Sequence, residues 1–338
     1  MRAMVLRGAA DVRTRPLRAE EVPVPDPGPA QLRVRVEACG VCRTDLHVVE
    51  GDLAPKRPAV IPGHAVVGRI DAVGPEVRRF QVGDRVGIPW LRSTCGRCEF
   101  CLTGRENLCA EKEYTGYSAD GGYAEHAVAD EAFVLPLPAG DAGHLAPLLC
   151  AGIIGYRAFK AALPRPGGRI GFFGFGGSAH LTLQLATRMG FETVAYSRTP
   201  EHRALARRLG ASETVATEQG AASARAPNLD SAIVFSPTGA SVLDALAETK
   251  KGGTVSIAAI HLSPLPPIDY DRLLFGERKV TSVEANTRED AREFLKLAAR
   301  LKLESTVELR PLSEANRALH DLKEGRVVGA LALDPTER

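Results

Sequence analysis

The chain lacks an excess of charge of either sign. Its 43 Lys and Arg stand against 41 Asp and Glu, a net charge of +2, which gives no electrostatic case for a nucleic acid or an acidic membrane surface as partner. It also lacks any apolar run approaching the roughly 20 residues of a membrane span. The opening Met1-Arg2-Ala3-Met4-Val5-Leu6-Arg7 has no apolar core of a secretion signal, and Arg13, Arg15 and Arg18 follow, so the expectation is a soluble, cytoplasmic protein. Internal repeats and low-complexity segments are missing as well. So is an evenly dispersed, even-numbered set of cysteines. There are seven, four of them crowded between positions 95 and 109, too tightly for a disulfide framework, and in a reducing compartment that spacing points to metal.

What is present is enough chain for two domains, 338 residues with 44% apolar and 25% charged side chains. Up to about residue 90 the rhythm is that of short strands. Gln31-Leu32-Arg33-Val34-Arg35-Val36-Glu37-Ala38 alternates polar and apolar, Ala65 to Gly74 reads as a second strand, and Gly83-Asp84-Arg85-Val86 as a tight turn into a third. Pro23, Pro25, Pro27 and Pro29 with Gly28 exclude a helix before the first. A partly barrelled β domain of low helical content is expected. From about residue 151 strands alternate with helices. Arg169–Gly174 reads as a strand, Ser178–Met189 as a helix with Leu181, Leu185 and Met189 on one face, Thr193–Ser197 as a strand and Glu201–Leu209 as a helix. Ser231–Phe235, Gly253–Ile260 and Lys279–Val283 follow as strands, and Arg288–Leu303 as a helix leading back to the first domain. Such alternation predicts a parallel sheet covered by helices on both faces.

Cys95, Cys98, Cys101 and Cys109 have the spacing of a zinc site. Two-residue gaps let one loop aim three sulfurs at a point, and the seven-residue gap returns the fourth. Four protein thiolates leave no position for water, so this zinc should be structural. Arg97, Arg105 and Lys112 are offset by Glu99, Glu106, Glu111 and Glu113, which argues against a nucleic-acid ribbon.

Gly174-Phe175-Gly176-Gly177-Ser178-Ala179 joins strand to helix as G-x-G-x-x-A, the dinucleotide fingerprint with Ala in its third slot. The first glycine makes the turn, the second admits the pyrophosphate, and the helix N-terminus offers N–H groups and partial positive charge. At the end of the next strand an Asp or Glu would mark NAD. Tyr196-Ser197-Arg198 stands there instead, so NAD or NADP is expected with a lean to NADP, Ser197 and Arg198 meeting the 2′-phosphate.

Cys42, His64 and Cys150 are the remaining ligand candidates, and their spacing alone proves nothing. Gly40-Val41-Cys42-Arg43-Thr44-Asp45-Leu46-His47 holds a soft ligand, a cation, a hydroxyl, a carboxylate and an imidazole, the groups a zinc-dependent alcohol oxidation needs. This stretch, with Pro62-Gly63-His64 and Leu149-Cys150-Ala151-Gly152, resembles the motifs of the zinc-containing medium-chain alcohol dehydrogenases, and the resemblance runs nearly end to end.

The resemblance implies an α/β architecture with a β-rich, GroES-like catalytic domain over 1–150 and 289–338 and a Rossmann-type NAD(P)-binding domain over 151–288. It implies one catalytic zinc on Cys42, His64 and Cys150 beside the structural one, and Asp45 orienting a ligand such as His64. In it zinc acts as a Lewis acid on the alcohol. Thr44 takes the alcohol proton and passes it by way of the cofactor ribose to His47, while hydride goes to the nicotinamide. Arg43 matches a pyrophosphate contact, and Trp90 and Leu53 pocket-lining positions. Cys39 matches no ligand position. The expected partner is a small alcohol or aldehyde, with neither nucleic acid nor membrane, and the assembly a homodimer or homotetramer. The structural loop and Trp90 favour simple or aromatic alcohols. A polyol or sugar dehydrogenase on the same scaffold, or a non-catalytic zinc- and nucleotide-binding relative, are the rival readings. Two positions depart from the pattern: Ala65 stands where Glu usually follows Gly-His, and Ala330 where many members have a phosphate-contacting Arg.

Overall fold

The computed structural model describes residues 1–217, 226 and 228–337. These divide into two compact units. One comprises 1–150, 285–293 and 305–338, the other 151–284 and 294–304.

The first unit is built on the long strand Gln31–Val41. Its alternation buries Leu32, Val34 and Val36 completely or nearly so. Neighbouring strands lie in the order Val307–Pro311, Ala330–Asp334, Gln31–Val41, Val66–Val73, Arg85–Ile88 and Leu135–Pro136, with His126–Asp130 also paired to Gln31–Val41. Register shifts at Arg33/Val34 and at Val36/Ala38 bend the long strand, as bulges do, and carry it across several partners. Residues 22–28, in the proline-rich stretch, have no regular structure.

The strand's last residues set up the chemistry. Gly40 donates its N–H to the Ala65 carbonyl at 2.9 Å, and a Cβ on Gly40 would stand 3.0 Å from the Ala65 Cβ and 3.7 Å from the Ala146 carbonyl. The missing side chain lets three segments that are distant in sequence approach one another. Directly after it comes a helix that the strand rhythm did not predict, Arg43–Glu50. It starts at Cys42, whose N–H is accepted by the Asp45 carboxylate, and ends at Gly51, in the left-handed conformation at φ 85°.

The second unit is a six-stranded, fully parallel sheet in the order Glu213–Ala216, Glu192–Ser197, Arg169–Phe173, Leu229–Val234, Thr249–Ile257 and Lys279–Ser282. The order reverses between Arg169–Phe173 and Leu229–Val234, the crevice where such sheets take nucleotides. The strand expected over 253–260 stops at Ile257, because both partners end there, Val234 on one side and Ser282 on the other. The helix expected over 288–303 stops at Arg300, with Lys302 at φ 52°.

The sequence reading divided the chain at 289, whereas residues 294–304 pack with the second unit. Phe294 explains it. Its ring lies where a Cβ on Gly152 would stand, 2.3 Å away, and meets Tyr156 at a 6.0 Å centroid distance. No helix among the described residues is long and apolar enough to cross a membrane.

Candidate metal centres and nucleotide site

Cys42, His64 and Cys150 each offer a donor atom, and the three atoms lie within 4.8 Å of one another. The two sulfurs are 3.7 Å apart, close to the roughly 3.8 Å edge of a tetrahedron of thiolates around zinc. His64 Nε2 is 3.0 Å from Cys150 Sγ, so that pair must open by about half an ångström to reach a tetrahedral edge. The donor chemistry, two sulfurs and one nitrogen, fits zinc and leaves a fourth position for an oxygen.

Behind the donors sits Asp45, fully buried. Its Oδ1 accepts from His64 Nδ1 at 2.7 Å and the Gly63 N–H at 3.2 Å, and its Oδ2 accepts from the Cys42 N–H at 2.9 Å and the Tyr123 hydroxyl at 3.2 Å. With Nδ1 committed to the carboxylate, His64 presents Nε2 to the donor set. Burial disfavours a charged imidazole, yet the Asp45 carboxylate outweighs it and raises His64 to about 10 before metal binds. Hydrogen bonding from the Cys150 thiol, opposed by burial and helped by His64, pulls Cys42 well below the ordinary thiol range. Zinc entry must therefore displace the protons that His64 and Cys150 hold, while Cys42 is already disposed to the thiolate.

Thr44 and His47 lie on the same helix, both buried, with Thr44 Oγ1 3.7 Å from Cys42 Sγ. His47 Nδ1 is 2.7 Å from Asp52 Oδ2, brought back over the helix end by the turn at Gly51. Arg43, exposed on the first turn, reaches the Leu322 carbonyl at 3.4 Å. Trp90 is buried, edge-on to His64 at 4.8 Å, and stacks on Tyr114 at 4.5 Å and Tyr117 at 6.0 Å, with Leu53 packed against the same core. Cys39 is fully buried, away from the three donors in role, its sulfur filling space beside Gly63 and Gly122. Ala65 is buried against Gly40, and Ala330 is buried at the start of its strand; neither offers a side-chain polar group.

The four cysteines of the loop converge equally well. Cys95 and Cys101 sulfurs are 3.9 Å apart and those of Cys98 and Cys101 3.5 Å, bracketing the thiolate–zinc edge and far outside disulfide length. The Cys98 N–H points at Cys95 Sγ from 3.3 Å, and the Cys95 N–H at Cys109 Sγ from 3.5 Å. Backbone N–H groups of Arg97 and Cys98 hold the Cys95 thiol down to about 7, which favours the ligating thiolate.

In the second unit Gly174 takes φ 89°, and a Cβ there would stand 2.8 Å from the Ser236 nitrogen. Gly176 caps the helix Gly177–Arg188 with no side-chain acceptor, and a Cβ on it would meet nothing within 4 Å. The first-turn N–H groups, including those around Gly177 and Ser178, are thus left for an anion, as a pyrophosphate requires. Ala179 is fully buried. At the end of Glu192–Ser197, the buried Ser197 accepts the Thr199 N–H at 3.3 Å, and Arg198 is exposed. Arg203 donates to the carbonyls of Ser197 and Arg198 at 2.7 and 2.8 Å.

Sequence reasoning did not single out Tyr123, Asp52, Arg203, Tyr114 or Tyr117. Only Asp52 had a local signal, the Gly51 that ends the helix carrying His47.

Two family models match the chain: "Alcohol dehydrogenase GroES-like domain" over residues 28–139 and "Zinc-binding dehydrogenase" over 177–300. A protein of Mycobacterium tuberculosis named "Probable alcohol dehydrogenase AdhA" is 49% identical, covering 98% of this chain and 97% of its own. An alcohol dehydrogenase of Geobacillus stearothermophilus is 38% identical over 94% of this chain and 95% of its own. Among solved structures, a cinnamyl alcohol dehydrogenase of Sorghum bicolor superposes with a TM-score of 0.88 at 28% identity, covering 98% of this chain and 97% of its own. The alcohol dehydrogenase of Aeropyrum pernix superposes at 0.86 with 29% identity, covering 99% and 100%.

Proposed function

The chain belongs to the zinc-containing medium-chain alcohol dehydrogenases and is an enzyme that interconverts alcohols with aldehydes or ketones using zinc and a nicotinamide dinucleotide, and from that premise we propose how its residues divide the work. The observation that carries the assignment is the convergence of Cys42, His64 and Cys150 on one point with Asp45 buried behind them. When bound, the zinc supplies Lewis acidity at the alcohol oxygen and the dinucleotide supplies the hydride acceptor. Cys42, Cys150 and His64 hold the metal, and Asp45 fixes the ring of His64. Thr44 accepts the hydrogen bond of the substrate hydroxyl at Oγ1. His47 receives the relayed proton at Nε2, since its Nδ1 faces Asp52, whose carboxylate is half-exposed. Cys95, Cys98, Cys101 and Cys109 hold a second, structural zinc. Metal analysis should then return about two zincs per chain, and a single zinc would discard one of the sites.

The stack of Trp90, Tyr114 and Tyr117 beside His64 supports apolar or aromatic alcohols over polyols. Nicotinamide absorbance followed with ethanol, benzyl alcohol and sorbitol, each with NAD and NADP, tests this. Benzyl alcohol should be turned over fastest, and sorbitol as the best substrate would favour the polyol reading. NADP is the favoured dinucleotide, because Ser197, Arg198 and Arg203 frame the strand end where a carboxylate would select NAD. Arg43, Gly174, Gly176, Gly177, Ser178 and Ala179 complete the dinucleotide contacts. Arg198→Asp should lower the NADP-to-NAD ratio of kcat/KM at least tenfold, about 1.4 kcal/mol, and an unchanged ratio would remove Arg198 from the site. A homodimer or homotetramer is supported by the edge strand Lys279–Ser282 with Val280 exposed, and by Tyr270 and Phe275, each 60% exposed, which precede it in the chain. Light scattering after size exclusion decides it. None of the seven cysteines is in a disulfide, which fits a cytoplasmic setting.

A further inference from the structure

Asp45 is the one carboxylate hydrogen-bonded to the donor set of Cys42, His64 and Cys150 among the described residues, because the position after His64 is Ala65. A buried carboxylate must have its lone pairs met, and Asp45 has four donors. Three of them, the N–H groups of Cys42 and Gly63 and the His64 ring, belong to the metal-binding segments themselves. The fourth is the hydroxyl of Tyr123, which belongs to neither segment.

Tyr123 is wholly buried, and its surroundings hold it in one place. Its ring fills the space under Gly63, where a Cβ would stand 2.4 Å from Tyr123 Cδ1, so only glycine at 63, at φ 96°, allows the approach. Its N–H donates to the Pro62 carbonyl at 2.9 Å and its carbonyl accepts the Met4 N–H at 2.8 Å. The hydroxyl has no second partner among the contacts the structure gives it, and it points at Asp45 Oδ2, the oxygen that also receives the Cys42 N–H.

We propose that Tyr123 is a positioning residue for the catalytic zinc, its hydroxyl fixing the Asp45 carboxylate so that Asp45 can hold His64 and the Cys42 turn in ligating geometry. The inference rests on Cys42, His64 and Cys150 binding zinc. Without the hydroxyl, Oδ2 keeps only the Cys42 N–H, and the carboxylate gains freedom to rotate away from His64. Outer-shell partners of this kind typically change metal affinity by about 10- to 100-fold.

The test is Tyr123→Phe, which keeps the ring under Gly63 and removes one oxygen. Purified, zinc-loaded enzyme is mixed with a chromogenic chelator and zinc release is followed in time. His64→Ala identifies the phase that belongs to the Cys42 set, since that phase disappears. In Tyr123→Phe that phase should run about tenfold faster, while release from the Cys95 set stays unchanged. An unchanged rate, or equal acceleration of both phases, overturns the proposal, the second because it reports general loosening. Asp45→Asn supplies the further arm. If Tyr123 acts through Asp45, adding Tyr123→Phe to Asp45→Asn should accelerate release by less than twofold more, and a full additional tenfold overturns the route through Asp45. With cobalt in place of zinc, the visible ligand-field bands should shift in Tyr123→Phe, which a purely structural role would not produce. Wild-type protein with no phase sensitive to His64→Ala would instead overturn the zinc assignment itself.

Discussion

At the scale of single residues the two proposed metal centres use one ligand chemistry, the thiolate, for different purposes. Cys42, the proposed ligand, sits in a core that is already packed: Leu46, Val48 and Val49 on its helix are buried. Cys42→Ala should therefore leave the fold standing, remove one zinc per chain and reduce alcohol oxidation below detection, with a circular dichroism melt shifted by only a few degrees. Retained activity would mean that Cys42 is not a ligand. Cys42, His64 and Cys150 were legible as candidate ligands because each sits in a short motif, yet their spacing could not place them at one point; only the resemblance did. What brings them there is Gly40, whose bare Cα lets Ala65 and Ala146 close in, and no local rule flags that glycine among the chain's 33. Tyr123 and Arg203 were illegible for the same reason. Each acts on a partner across a loop or at a strand end, and neither stands in a pattern of its own.

At the scale of elements, the helix Gly177–Arg188 was read within a residue of its start because periodicity and glycine spacing agree there. The helix Arg43–Glu50 was missed, since eight residues are too few for periodicity to separate from a strand and its cap is the unusual pair Cys42 and Asp45. The dinucleotide helix yields two predictions. Its cap, Gly176, has backbone at φ −144° that any residue can adopt, and open space where a Cβ would go. Gly176→Asp should supply the missing side-chain cap, leaving the apo protein as stable or a few tenths of a kcal/mol more so. The same carboxylate should weaken dinucleotide binding at least a hundredfold by occupying the pyrophosphate's place, as titration of nicotinamide fluorescence would reveal. Equal binding would place the pyrophosphate elsewhere. The second concerns His180, fully buried one turn further on, where loss of hydration, partly offset by the backbone around Gly176 and Gly177, holds the imidazole down to about 4. In the unfolded chain it titrates near 6.5, so the unfolded state takes up a proton first as pH falls. Stability should be unaffected above pH 6.5 and decline between 6.5 and 4 by an amount on the order of 3 kcal/mol from this residue. Urea denaturation of wild type and His180→Gln across that window should show the slope only in wild type. Parallel slopes would mean that His180 takes up its proton equally in both states.

At the scale of the whole molecule, the four-cysteine loop is tied to the chain's return through the first unit. The loop has little core of its own: no residue of Glu99–Leu102 is buried and Leu102 is 74% exposed. A zinc on its four thiolates would account for its shape, as in other small zinc-held segments. Three residues before its last cysteine, however, Glu106 is buried. It accepts from the Arg288 N–H at 2.9 Å and from Arg288 Nε at 3.1 Å, while the guanidinium lies over the Phe133 ring at 4.8 Å. Arg288 begins the helix by which the chain leaves segment 285–293 for the second unit. Loss of the proposed structural zinc should thus be felt at two places far apart in sequence. In Cys95→Ala, hydrogen exchange should rise over 95–109 and also over 285–293, with the melting temperature lowered by several degrees. Glu106→Gln isolates the link: the zinc stays, but a charge-assisted contact to a partly exposed arginine is weakened, an effect of about 1–2 kcal/mol after solvent screening. It should raise exchange over 285–293 while 95–109 stays protected. Protection unchanged at 285–293 in both variants would mean that the loop is anchored by its thiolates alone and that Glu106 transmits nothing to the crossing helix.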